Sequence, residues 1–214
     1  MDEDLTIINT NTRNQKIKDF FNKNKKLLIS FLGILLLIII GFYSYQIYKE
    51  GHREWLSNKY NNAIIKHKNG NNSIIVPELK AVIEDKDGTY SPLALYYLID
   101  NNLIDNRDEI NGLFDILIEK TSLETEIKNL IIYKKGLYNA DNSNESQLLE
   151  ILNPLINSKS VWKSHALYLL AEYFYFKDEK QKSKEFFNQI LNTENANLDI
   201  VKETQKRLNR DLSE

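Results

Sequence analysis

The chain has 214 residues, a length that suits one domain plus an anchor, or two very small domains. Its formal net charge of −2 and the lack of a basic stripe exclude an ordinary nucleic-acid binder. Cysteine is absent, which excludes disulfides, thiolate metal sites and a cysteine nucleophile.

The first notable element along the chain is an uncharged run from Leu27 to Tyr48. As a helix rising ~1.5 Å per residue it would reach about 33 Å, enough to cross a hydrocarbon core of ~30 Å. A buried core helix would show regular polar positions, and a cleaved signal peptide would have a shorter apolar region ending in small residues. This run instead ends in tyrosines typical of a membrane interface. The sequence therefore predicts a single transmembrane helix at 27–48.

The flanking charges predict how this helix is oriented. Lys23, Lys25 and Lys26 lie directly before the run, whereas basic and acidic residues alternate after it. By the positive-inside rule, residues 1–26 are expected to be cytoplasmic and residues 49–214 to lie outside the cytoplasm. The latter part has 22 basic and 26 acidic residues, as expected of a mildly acidic soluble domain.

The soluble part is predicted to be helical almost throughout, because no stretch alternates for long with a period of two residues. Gly70 and Gly88 indicate helix ends, and Pro77 and Pro92 suit the first turn of new helices. Two capping boxes are predicted in addition, at Thr121–Glu124 and at Asp178–Gln181.

Apolar residues recur at helical spacing, so each helix is amphipathic and needs a neighbour. The helices form pairs beginning near Pro92, Ser122 and Ser160, at intervals typical of helical-hairpin repeats. The sequence thus predicts an all-α chain, with a single N-terminal transmembrane helix followed by a tetratricopeptide-like helical-hairpin array. The predicted core residues include Ile110, Leu113, Phe114, Leu117, Ile118, Leu148, Leu149, Leu152, Leu167, Leu170, Ala171, Phe174, Phe186, Phe187, Ile190 and Leu191.

The last pair matches the tetratricopeptide pattern best. That pattern is W-x2-L-G-x2-Y followed by A-x3-F, and here "LYLLAEYF" is followed by "SKEFF". Ala171 and Ser183 are small and are expected to let the two helices approach closely. A final helix from about Asn197 to Leu212 is expected to cap the array. Its apolar residues include Leu198, Val201 and Leu208.

With this layout the chain resembles the YfgM-like family of single-pass proteins, which are ancillary subunits of the SecYEG translocon. The resemblance covers nearly the whole chain and is carried by "IKDFFNKNKK", "EWLSNKYNNAI", "YSPLALYYLIDNNLIDNRDEI" and "SVWKSHALYLLAEYFYFKDEKQKSKEFFNQIL". It implies a bacterial inner-membrane protein with a cytoplasmic N-terminus. It also implies that a periplasmic domain binds translocon subunits and a membrane-anchored periplasmic chaperone, and that the protein catalyses no reaction.

One motif hints at an enzyme. Ser160-Val161-Trp162-Lys163 matches the S-x-x-K of penicillin-binding enzymes, but the S-D-N and K-T-G motifs that accompany it in those enzymes do not occur. We therefore expect that Ser160 caps a helix and that Trp162 packs against the preceding hairpin.

Other chemistry has even less support in the sequence. His52, His67 and His165 do not pair at metal-binding spacing, and the glycine motifs of nucleotide sites do not occur. No catalytic residue, metal, cofactor or small-molecule substrate is predicted.

Tyrosines concentrate on the predicted first helices of the hairpins. In such arrays these helices line a concave face that can bind partner segments, but a tyrosine can equally be a core residue whose hydroxyl reaches water. If Leu167, Leu170 and Phe174 face the partner helix, other side chains of the same helix should point into the groove. The predicted protein-binding residues are His165, Tyr168, Glu172 and Tyr175.

The sequence leaves three alternative functions open. The first is a membrane-tethered module that binds proteins in the periplasm, with the translocon role that the resemblance implies. The second is an enzyme that uses the anchor only for localisation, which would need a nucleophile, a base and an orienting group. The third is a scaffold for envelope assembly or cell division.

Overall fold

The computed structural model describes residues 2–68 and 72–212 of the chain. Within these ranges every regular element is helical, which confirms the predicted all-α class. The α-helices are α1 (Asp2–Lys68), α2 (Asn72–Glu84), α3 (Tyr90–Asp100), α4 (Arg107–Asp115), α5 (Thr125–Asn139), α6 (Glu145–Ile156), α7 (Lys163–Phe176), α8 (Lys180–Leu191) and α9 (Leu198–Asp211). A π-helical turn, Ile116–Lys120, extends α4.

The chain divides into two compact units, residues 1–55 and residues 56–214. The first unit consists of most of α1, whose apolar side chains from Leu27 to Tyr48 are exposed along almost their whole length. The most apolar window of this helix is not buried at all, and by length and composition the helix could cross a membrane. Of the helices that the structure describes, it is the one that meets this condition.

In the second unit the closely packed pairs of successive helices are α2 with α3, α5 with α6, and α7 with α8. The last two pairs begin within five residues of the predicted starts near Ser122 and Ser160. The pair predicted to begin near Pro92 is different, because α3 packs mainly against the preceding helix α2 and makes only a limited contact with α4. The C-terminal end of α1 joins the same buried cluster as α2, α3 and α4, and α9 packs against the last pair.

The predicted apolar stripes form the core of this unit. Three clusters of buried side chains follow one another along the array, centred on α2–α4, on α5–α7 and on α7–α8. Phe114, Phe174 and Phe187 are fully buried, as predicted, whereas Leu191 is exposed. Ala171 and Ser183 are completely buried, as expected for the closely packed pair α7–α8.

One of the predicted helix starts is wrong. Pro77 lies in the interior of α2, not in its first turn, because the helix begins five residues earlier at Asn72. Pro92 does fall in the first turn of α3, and Gly88 lies in the link before it. Gly70 lies outside the described residues.

Neither predicted capping box forms. The hydroxyl of Thr121 donates to the carbonyl of Ile116, because the π-helical turn ends there and α5 begins only at Thr125. Asp178 has a φ of 59° and lies in the turn before α8. A capping box occurs instead at Asn144 and Gln147, which exchange side-chain and backbone hydrogen bonds of 3.0 Å at the start of α6.

The final helix is confirmed as Leu198–Asp211, with the Asn197 side chain accepting hydrogen bonds from two of its first N–H groups. Its packing differs from the prediction at one position. Leu198 is exposed, and Val201 and Leu208 pack against the last hairpin together with Ile200.

Candidate protein-binding surface

All four residues predicted to bind a partner lie on α7, but they face two different neighbours. Tyr168, Glu172 and Tyr175 contact or approach Arg207, which α9 contributes. His165 faces α5 and the start of α7. The structure therefore splits the predicted groove into two side-chain clusters.

Arg207 is the centre of the first cluster. Its Nε and its Nη2 each donate to one carboxylate oxygen of Glu172 at 2.7 Å, so the pair is bidentate. The same guanidinium lies 4.4 Å from the ring centroid of Tyr175 and also pairs with Asp211 on α9. Arg207 is only 13% exposed, whereas the side chain of Glu172 is 34% exposed, so the guanidinium is shielded from water and the carboxylate only partly so.

Two pKa values in this cluster shift as the geometry requires. The hydrogen bonds to Glu172 raise the pKa of Arg207, although partial burial opposes this. Burial and the neighbouring Glu172 carboxylate raise the pKa of Tyr168 to about 12. Tyr168 also packs edge-on against Phe187 at 5.5 Å between ring centroids. These three predicted residues thus form the contact between α7 and the chain's own α9.

His165 belongs to an aromatic cluster between two hairpins. Its ring centroid lies 5.1 Å from that of Trp162 and 5.7 Å from that of Tyr133 on α5. Its buried Nδ1 makes no hydrogen bond of good geometry with any described residue. Burial lowers the pKa of His165, and the backbone of Val161 partly opposes the shift.

The S-x-x-K motif has a structural role here. The Ser160 hydroxyl donates to the Glu126 carboxylate at 2.8 Å and accepts the N–H of Trp162 at 3.1 Å, just before α7 begins. Trp162 stacks on Tyr133 of the preceding hairpin, which confirms the packing that we expected. The hydroxyl of Ser160 is therefore used in joining α5 to α7.

Most tyrosines of the first helices are also used inside the molecule. Tyr173 is buried and donates its hydroxyl to the carbonyl of Ser143 at 3.1 Å. Tyr97 bonds to His67 at 2.7 Å, and a lysine ammonium lies over the ring of Tyr96. These contacts favour the core interpretation for these three tyrosines.

An exposed aromatic residue on α7 was missed by the sequence reasoning. Phe176, the last residue of α7, is 85% exposed. It borders a groove of about 220 Å³ between the end of α5 and α7, together with Ala140, Leu169 and Tyr173. The signal in the sequence is the run "YFYF", in which the helical period turns only some of the aromatic rings inward.

Among residues 2–68 and 72–212, no three His, Asp or Glu side chains lie together in a way that could hold a metal ion. Comparison of the chain with protein-family models, with curated proteins and with solved structures finds no match. The resemblance to the YfgM-like family therefore remains a prediction from the sequence.

Proposed function

We propose that this chain is a membrane-anchored protein-interaction module whose helical array lies outside the cytoplasm. One observation carries the proposal: a helix whose long apolar run is not covered by the chain precedes an array of helical hairpins. The uncovered apolar residues need a hydrocarbon surrounding to avoid contact with water. Arrays of this kind offer extended surfaces that bind proteins.

The proposed orientation depends on charge. Lys23, Lys25 and Lys26 precede the apolar run, and the positive-inside rule keeps such residues in the cytoplasm. The array, residues 49–214 in the sequence-based division, then lies in the periplasm of a bacterium. On this basis the protein belongs to the inner membrane as a single-pass protein.

The resemblance to the YfgM-like family gives the proposal its finer form. The protein would be an accessory subunit of the Sec translocon and would link the translocon to a membrane-anchored periplasmic chaperone. The alternative is a scaffold for envelope assembly or cell division, which needs the same anchor and the same kind of surface.

The structure determines where the proposal is best tested. Tyr168 and Glu172 pack near α9, so a photocrosslinker at either position would disturb the fold. Phe176 is 85% exposed beside a groove, and Leu198 on α9 is 74% exposed, which makes it a matched control. Benzoylphenylalanine is placed at each position in the full chain, and the crosslinked proteins are identified from membranes.

Each outcome separates the alternatives. Crosslinks from Phe176, but not from Leu198, to translocon subunits or to a periplasmic chaperone would support the translocon role. Crosslinks only to division or assembly proteins would support the scaffold. Crosslinks only to cytoplasmic proteins would contradict both the proposed orientation and the proposed function.

A further inference from the structure

A second groove in the array lies on a different surface from the predicted one. It has a volume of about 410 Å³ and runs between α4 with its π-helical turn, α5 and α6. This volume lies within the range of ~300–1,000 Å³ that is common for ligand sites. None of the four predicted residues on α7 lines it.

The groove has an apolar floor. Ile132 of α5 is buried, and Ile118 and Ile151 are half-buried against the same cluster of core side chains. The floor is therefore an extension of the core, held in place by packing. It can take an aliphatic side chain of a partner without rearrangement of the array.

The rim of the groove carries excess negative charge. Asp115, Glu119 and Glu150 line it together with a single basic residue, Lys135. Lys135 pairs with Asp115 at 2.5 Å. Glu119 and Glu150 form no ion pair or hydrogen bond with any residue in the described part of the chain. Two carboxylates thus remain without a counter-charge beside an apolar floor.

The walls of the groove are preformed. Asn111 of α4 and Asn139 of α5 exchange amide hydrogen bonds of 3.1 and 2.7 Å, and Asn139 is only 4% exposed. Buried amide pairs fix the relative position of the two helices that carry them. The π-helical turn supplies both Ile118 and Glu119 to the groove, and such turns occur often at functional sites.

We propose that this groove binds a segment of a partner protein in which a lysine or arginine lies next to an aliphatic residue. The aliphatic side chain would pack on Ile118, Ile132 and Ile151, and the cation would pair with Glu119 and Glu150. This inference rests on the proposed function, since it names the partner segment that the interaction module recognises. The charge of the rim selects a cationic partner over an acidic one.

The test uses the full chain in a non-ionic detergent and a defined probe. The probe is a dye-labelled, end-capped peptide, Gly-Leu-Lys-Leu-Lys-Gly, and its counterpart carries glutamate in place of each lysine. We expect the lysine peptide to bind the unaltered protein more tightly than the glutamate peptide. The combined change Glu119→Gln and Glu150→Gln should weaken binding of the lysine peptide by about three- to tenfold, because each exposed ion pair contributes little.

Charge reversal makes the test specific for the groove. The combined change Glu119→Lys and Glu150→Lys should reverse the preference, so that the glutamate peptide binds more tightly. The control is Glu194→Lys, an exposed carboxylate outside the groove, which should leave the preference unchanged. Circular dichroism confirms that each variant is folded, and a preference that survives the reversal would overturn the proposal.

Failure of this proposal can be told from failure of the proposed function. If the lysine peptide does not bind, or binds independently of Glu119 and Glu150, the groove is not the recognition surface, yet crosslinks from Phe176 to envelope proteins would stand. A second copy of this chain is another possible occupant. Concentration-dependent dimers that Glu150→Lys dissolves, without specific binding of the lysine peptide, would also overturn the proposal.

Discussion

At the scale of single residues, Arg207 explains why the predicted groove is not open. A guanidinium can bind both oxygens of Glu172 and at the same time lie on the ring of Tyr175. Three of the four residues predicted to bind a partner, Tyr168, Glu172 and Tyr175, therefore lie against α9, the last helix that the structure describes.

Replacing Arg207 by alanine should lower the free energy of unfolding by about 1–2 kcal/mol, because the ion pair and the contact with Tyr175 are both lost. Arg207→Lys should lose about half as much, since an ammonium cannot bind Glu172 in the bidentate way. Denaturant unfolding followed by circular dichroism measures the change. Arg210→Ala on the same helix is the control and should have almost no effect, because Arg210 is exposed and its ion pair with Asp211 lies within α9. Equal losses for Arg207 and Arg210 would contradict this role.

His165 should give the array a specific dependence on pH. Burial lowers its pKa below the ordinary value of 6.5, so the unfolded chain takes up this proton more readily than the folded one. The contribution of the neutral His165 imidazole to the free energy of unfolding is fully present above pH 6.5. It is lost as the pH falls through the lower pKa that His165 has in the folded state. The facing groups, Tyr133 and Trp162, do not titrate in this window, since burial raises the pKa of Tyr133 above its usual 10.0.

The measurement compares the unaltered protein with His165→Phe, which keeps an aromatic ring between Trp162 and Tyr133. The free energy of unfolding is measured at several values of pH from about 7.5 down to about 5. As the pH falls, the free energy of unfolding of the unaltered protein should decrease relative to that of His165→Phe. A difference that does not vary with pH would show that this histidine has the same pKa folded and unfolded.

At the scale of helices, the close approach of α5 and α6 depends on one glycine. A Cβ atom at Gly136 would lie 2.5 Å from a methyl carbon of Leu152, a buried residue of α6. In α4, a Cβ atom at Gly112 would meet nothing within 4 Å. The two glycines therefore offer a matched comparison on neighbouring helices.

Gly136→Ala should lower the free energy of unfolding by about 1–3 kcal/mol, because the added methyl overpacks the hairpin. Gly112→Ala should raise it by about 0.5–1 kcal/mol, because alanine restricts the unfolded chain and favours the helix. Thermal and denaturant unfolding of both variants gives the comparison. A gain in stability from both substitutions would mean that α5 and α6 are not in close contact.

The helices themselves were predictable, but their ends were less so. Apolar residues at helical spacing located the last two hairpins, because burying an amphipathic face decides where a helix can exist. They did not show that α3 pairs with α2, because periodicity does not determine which neighbour a helix packs against. The capping box at Asn144 was missed although its residues are suitable ones, and Asp178 was assigned to a box that does not form. Capping depends on the backbone angle at one residue, which periodicity does not determine.

The candidate binding surfaces were predictable only in part. The reasoning correctly predicted that Leu167, Leu170 and Phe174 are buried. The sequence analysis expected the final helix to cap the array, but it did not pair Arg207 with Glu172, because these residues are 35 positions apart in the chain and no short motif indicates such an ion pair. The carboxylates Glu119 and Glu150 lie in a groove only because a π-helical turn and a separate helix bring them together, and no short motif signals that.

At the scale of the whole molecule, the absence of cysteine makes the proposed topology directly testable. Lys18→Cys and Lys202→Cys each introduce one thiol, on the two sides of the apolar run, and both positions are exposed. In cells with a permeabilised outer membrane, a maleimide that cannot cross the inner membrane should label Lys202→Cys alone. Lysis should make Lys18→Cys reactive as well. The reverse pattern would mean that the array lies in the cytoplasm.

The three core clusters are joined by side chains that belong to two of them at once. Ile118 packs against the first and the second cluster, and Ile156 and Phe186 pack against the second and the third. Such shared residues transmit the loss of one cluster to the next, as neighbouring repeats do in a linear array. Ile118 therefore couples the unfolding of the first cluster to that of the second. The same side chain forms part of the floor of the proposed recognition groove. A partner bound on this residue would stabilise the packing between the first two clusters. Partner recognition and the cooperative unfolding of the array would then depend on the same side chain.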